Sequence, residues 1–149
     1  MFKIIYALHL LFAIFAIGPL VHAVTTASRG LRKGDAAEAV ASARMTRIYA
    51  IASVLVVVLG FGLMSATSPY TNKPVATFSE TWIWLSVVLW VIAMAIALAV
   101  TVPALRSAAK QITDGNGVGT LNARVAASGG VIALIFVAIV FLMVYQPGS

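Results

Sequence analysis

The chain has 149 residues, 62% of them hydrophobic and only 9% charged, with a mean hydropathy of +1.04; soluble domains carry roughly a quarter charged residues, so this inventory cannot build a water-soluble surface. It contains no cysteine, which excludes disulfides, thiolate chemistry, iron–sulfur clusters and cysteine-ligated zinc. The formal charge of +6 is spread along the chain as a membrane-topology signal, which argues against nucleic acid as a partner.

The length fits one membrane domain, residues 1–149, and crossing the hydrocarbon core as a helix takes about 20 apolar residues. Four stretches qualify in chain order: residues 4–23, 48–64, 82–105 and 125–145. The first follows Lys3 and has the flavour of a secretory signal. Its apolar run is longer than a signal core of about 7–15 residues, however, and basic residues that would stop transfer follow it, so it reads as a mature helix. The fold expected is an all-α four-helix membrane bundle made of two antiparallel hairpins.

Orientation follows from the connections. Arg29, Arg32, Lys33, Arg44 and Arg47 lie between the first and second spans, and Arg106, Lys110 and Arg124 between the third and fourth; only Lys3 and Lys73 lie on the other side. Such an excess places the two basic turns in the cytoplasm and both termini outside, with the cations facing lipid headgroups. Tyr70, Phe78, Trp82, Trp84 and Tyr145 then fall at the outer interface, where amphipathic rings prefer to sit.

The polar connections carry helix signals too. Asp35 followed by Glu38 has the form of a capping box, which would start the second helix near Ala36. Asp114-Gly115-Asn116-Gly117 tolerates positive φ and marks a turn, and Thr120 is a candidate cap for the fourth helix. A faint two-fold repetition shows in the basic turns and in second helices entered through Arg47-Ile-Tyr-Ala and Arg124-Val-Ala-Ala. Pro19, after Gly18, and Pro103 each free a carbonyl four residues back, Phe15 and Ala99, which predicts kinks. Small residues let membrane helices approach closely, so Ser53, Gly60 and Gly62 in the second helix and Ser128, Gly129 and Gly130 in the fourth predict packing faces that put these two helices at the centre.

Ionisable groups inside a membrane are functional candidates by default. His9 lies about two turns from the outer surface, whereas His22 lies at the cytoplasmic end, ~20 Å further along the axis, so the two cannot share one ligand. Met64 and Met143 are expected on the same side as His9. An imidazole with thioethers suits cuprous copper, and a His/Met pair can hold haem iron; the alternative is that His9 bonds a helix carbonyl and the methionines only pack.

His9 in the context ALHLLFAIFAIG, the ARMTRIY entry to the second helix, the GFGLM that ends it and the terminal FLMVYQP resemble a bacterial family of predicted integral membrane proteins of unknown function. That family is distantly similar to the membrane domain of copper resistance protein D. The resemblance spans nearly the whole chain and implies a four-helix module of the bacterial plasma membrane with copper or haem at His9 and Met143, although this sequence lacks the further histidines of a copper pathway. No catalytic constellation is present. The expected role is an accessory or structural subunit of a larger membrane complex such as a respiratory one, or a homo-oligomer; the alternatives are copper or haem binding and, with Ser86, Thr101 and Ser128 as the sparse polar path, small-solute transport.

Overall fold

The computed structural model describes residues 1–70 and 72–148. Among these, four long helices account for the apolar sequence: α1 (Phe2–Arg32), α2 (Ala36–Met64), α3 (Thr81–Thr113) and α4 (Gly119–Tyr145), each long and apolar enough to cross a membrane. Many of their large apolar side chains point away from the protein, with Phe15 66%, Leu134 71% and Val144 71% exposed. A surface of that kind is stable where hydrocarbon is the solvent, and a helix satisfies its own backbone there.

The helices run past the apolar spans at the end of the bundle that bears the basic turns. They do so because alanine-rich faces continue beyond the hydrophobic stretches: Ala27 and Leu31 of α1, Ala39 and Ala43 of α2 and Ala108 of α3 join Val125 of α4 in a closely packed core. Arg29, Arg32, Lys33, Arg44, Arg47, Arg106, Lys110 and Arg124 are all exposed around this end.

Local chemistry fixes both turns. Gly34 (φ +69°) follows α1, its amide donating to the Leu31 carbonyl at 3.1 Å while the Asp35 amide donates to Gly30 at 3.1 Å. Gly115 (φ +76°) closes α3 in the same way, with Gly115 bonded to Ile112 and Asn116 to Gln111. Both are Schellman closures, which need a residue comfortable at positive φ. α2 begins at Ala36 as expected, with the Glu38 amide donating to Asp35 Oδ1 at 2.9 Å. Only that half of the capping box forms: the Asp35 amide is already used by Gly30, and the Glu38 carboxylate lies 3.9 Å from Lys33 Nζ. Thr120 does not cap α4, which starts two residues earlier than such a cap would set, with Val118 at its N-cap and no side-chain capping bond.

Each intramembrane proline is preceded by a turn of π-helix, Ala13–Ile17 before Pro19 and Ala97–Thr101 before Pro103. A proline ring collides with the carbonyl four residues back and offers it no donor; widening the preceding turn moves that carbonyl aside without breaking the helix. α1 and α3 thus share a wide turn, a proline two residues later and a glycine closure, which deepens the two-fold repetition visible in the sequence.

Around the bundle, α1 packs on α2, α2 on α3, α3 on α4 and α4 back on α1. α2 and α4 therefore stand at opposite corners, and neither is central; the small residues on them serve contacts with α1 and α3. At Gly129 the backbones of α4 and α1 come so close that a Cβ would run into the Val24 carbonyl. Gly60 lies under the His9 ring, and Gly62 is within ordinary contact distance of Ile5. Gly130 has no neighbour within 4 Å and is exposed, so it does not pack: successive helical residues point about 100° apart. Beside Gly129, Thr101 Oγ1 donates to Ser128 Oγ at 2.9 Å, and Ser128 donates to the Val125 carbonyl at 3.2 Å.

At the other end, the segment between α2 and α3 folds inward, placing Ala76 against Met64, Trp82 and Ile83. Trp82 departs from the interfacial belt expected of it: it is 5% exposed, with Nε1–H donating to the Glu80 carboxylate at 2.7 Å. Tyr70, Phe78, Trp84 and Tyr145 are exposed.

Candidate ligand cavity

Below its proline α1 packs on both α2 and α4; above it, α1 stays with α2 while α3 stays with α4. The two pairs part towards the end that carries Met1 and Tyr145, leaving a cavity of about 620 Å³. His9, Gly60 and Met64 line it from the first pair, and Trp90, Phe136 and Met143 from the second.

His9 is held by α2. Its Nδ1 lies 2.9 Å from the Val56 carbonyl oxygen. A carbonyl can only accept, so Nδ1 carries the proton and donates, which leaves the lone pair on Nε2. A Cβ at Gly60 would sit 3.2 Å from His9 Cε1 and 3.6 Å from Nδ1, with no other ring atom in contact. The Nδ1–Cε1 edge thus lies over the glycine, one helical turn beyond Val56, and the residue lines the cavity. A backbone partner that fixes the tautomer and ring orientation is the usual support of a metal-ligating histidine.

The other polar groups of the lining are already committed. Trp90 Nε1–H donates to Ser53 Oγ at 3.0 Å, Ser53 donates to the Ala50 carbonyl at 2.6 Å, and Ser86 donates to the Trp82 carbonyl at 2.7 Å. The Trp90–Ser53 bond joins α3 to α2 below the cavity. Replacing Ser53 with alanine leaves an indole N–H without its partner in a dry interior, and a loss of about 1–2 kcal/mol is expected in reversible unfolding from mixed micelles; an unchanged midpoint would show that the bond contributes nothing.

What remains for a ligand is His9 Nε2 with the thioethers of Met64 and Met143, three donors from three helices brought to one cavity. The His9–methionine grouping expected from the sequence is thus present as a shared lining, with Met64 buried and Met143 39% exposed. His22 is exposed towards the basic end and has no part in it. Among the described residues no three His, Asp or Glu side chains gather, so the donor set is soft and neutral. It suits cuprous copper in chemical type. The volume, by contrast, falls within the roughly 300–1,000 Å³ typical of organic-ligand pockets, and a lone ion would leave most of it unfilled. Val56, Trp90 and Phe136 carry no sequence signal of a ligand site, and Gly60 was expected only as a small residue of a packing face. Comparison with protein-family models, curated proteins and solved structures returned no match.

Proposed function

We propose that the protein is a membrane-embedded haem-binding protein, in which His9, together with Met143 or Met64, would hold the iron. The observation that carries this reading is the His9–Val56 hydrogen bond: it assigns the proton to Nδ1 and leaves the lone pair on Nε2 of a residue that lines an apolar cavity. Bound there, haem supplies one-electron or Lewis-acid chemistry, while the chain orients the iron and excludes water. Two antiparallel hairpins, α1–α2 and α3–α4, form the bundle in this reading. The basic ends face the cytoplasm of a bacterial cell and both termini lie outside, so the cavity occupies the outer half of the bilayer.

Full-length protein purified from haem-replete membranes is expected to carry a Soret band and about one haem per chain, and His9→Ala to lower haem retention roughly tenfold or more. Protein that is free of haem, and stays so after addition of hemin, overturns the assignment. Stoichiometric copper in place of haem, lost in His9→Ala, would move the reading to a soft-metal site made of the same three donors.

A second reading follows from the parting of the two helix pairs. The same apolar cavity is a seat for a transmembrane helix of a larger assembly, such as a respiratory complex, in which this chain would be an accessory subunit. Extraction in mild detergent then yields it with stoichiometric partners; a lone, monodisperse, haem-loaded species excludes this reading.

A further inference from the structure

At the end of the bundle opposite the cavity, the first turns of α2 and the last turns of α3 run side by side and leave an open groove of about 640 Å³. Its floor is shallow because the facing residues are alanines, Ala37 and Ala41 of α2 and Ala109 of α3. Three cations rise from it: Arg44 from α2, and Arg106 and Lys110 from α3. Arg44 lies about two turns into α2 and Arg106 about two turns from the end of α3, which places them at similar height where the apolar spans end; Lys110 lies one turn further out.

Among the described residues nothing neutralises them. The chain has four acidic residues. Glu38 lies beside Lys33 and Gly30, turned towards α1; Asp35 caps α2; Asp114 follows the end of α3; and Glu80 binds Trp82 at the far end of the molecule. Among the described residues no carboxylate lies within ion-pair distance of Arg44, Arg106 or Lys110. Three like charges around one concavity repel one another unless an anion sits between them, and guanidinium pairs match phosphate oxygens in geometry. Val40, 55% exposed in the same lining, gives the groove an apolar rim.

We infer that this groove binds a phosphate group, with Arg44 and Arg106 on its bilayer side and Lys110 above it. Its height at the end of the apolar spans favours the headgroup of an anionic phospholipid as the carrier. This site is independent of the haem cavity.

The test uses the full chain in nanodiscs of phosphatidylcholine alone, with added phosphatidylglycerol, or with inorganic phosphate titrated in. Thermal midpoint and lipid retained in native mass spectrometry are read for the wild type and for the triple variant Arg44→Gln/Arg106→Gln/Lys110→Gln. A control, Arg29→Gln/Arg32→Gln/Arg124→Gln, removes equal charge outside the groove. The wild type and the control are expected to retain phosphatidylglycerol over phosphatidylcholine on the order of tenfold or more, and to rise in midpoint with it, because each basic residue near the surface contributes measurably; the groove variant loses both effects. A response to inorganic phosphate alone, lost in the groove variant, supports the same site with a soluble carrier. An equal response in wild type and groove variant, or an equal loss in the control, overturns the proposal. Should the triple variant fail to fold, the single Arg106→Gln is expected to show a reduced preference, and an undiminished one counts against the site.

Discussion

Gly129→Ala is expected to destabilise the bundle by about 3 kcal/mol or more, and Gly129→Val to prevent its assembly. A Cβ at this position meets the Val24 carbonyl and the peptide that follows it, so what would have to move is backbone and not the end of a flexible chain. Overpacking ordinarily costs about 1–3 kcal/mol when side chains can shift aside; here the relief available is separation of α4 from α1, which also pulls at the neighbouring Thr101–Ser128 bond. Gly130→Ala is the matched comparison. With no neighbour within 4 Å of the new methyl, it should stay within about 0.5 kcal/mol of the wild type or gain slightly from helix propensity. Unfolding of both variants in mixed micelles reads the contrast directly, and equal midpoints would mean that α1 and α4 are not in backbone contact.

The same pair of glycines shows where reading a membrane sequence succeeds and where it stops. Long apolar runs separated by basic turns identify four spans, because a bilayer demands length and apolarity from every crossing segment alike. Helix ends are less visible: α1 and α3 continue past their apolar stretches on alanine faces whose partners are set by the fold. Asp35 as a cap and Gly115 as a turn were legible because the chemistry is local. The return arm of the capping box was not, since the Asp35 amide is taken by Gly30 across the closure of the previous helix. Pro19 and Pro103 announce a disturbed backbone, but widening a turn and bending it begin from the same missing donor. Trp82 resembles an interfacial ring until Glu80, two residues away, accepts its N–H. A run such as Ser128-Gly129-Gly130 marks a close approach and leaves open which of its residues is approached. The grouping of His9 with Met64 and Met143 needed only that all three lie at one end of the bundle.

A variant at Gly60 separates ligation from mere proximity. Gly60→Val is expected to lower haem content roughly tenfold although His9 itself is not substituted. The His9 ring lies against Gly60 so closely that even a Cβ would sit 3.2 Å from Cε1, tighter than ordinary contact, and the added methyl groups of valine occupy the space of the ring itself. To make room, the imidazole must swing off α2, which breaks the Nδ1–H bond to Val56 and releases the tautomer and direction of Nε2. If haem merely partitioned into an apolar cavity, the change would be small, since the three added side-chain carbons remove little of about 620 Å³. If an oriented imidazole holds the iron, loss follows from disorientation alone. Gly62→Ala, where the new Cβ would stand 3.9 Å from Ile5, places a methyl half a turn away on the same helix and should retain haem at the wild-type level. Haem retained equally by Gly60→Val and the wild type would remove the ligand role from His9. Loss in Gly60→Val with retention in Gly62→Ala would assign it to the ring that Val56 holds in place.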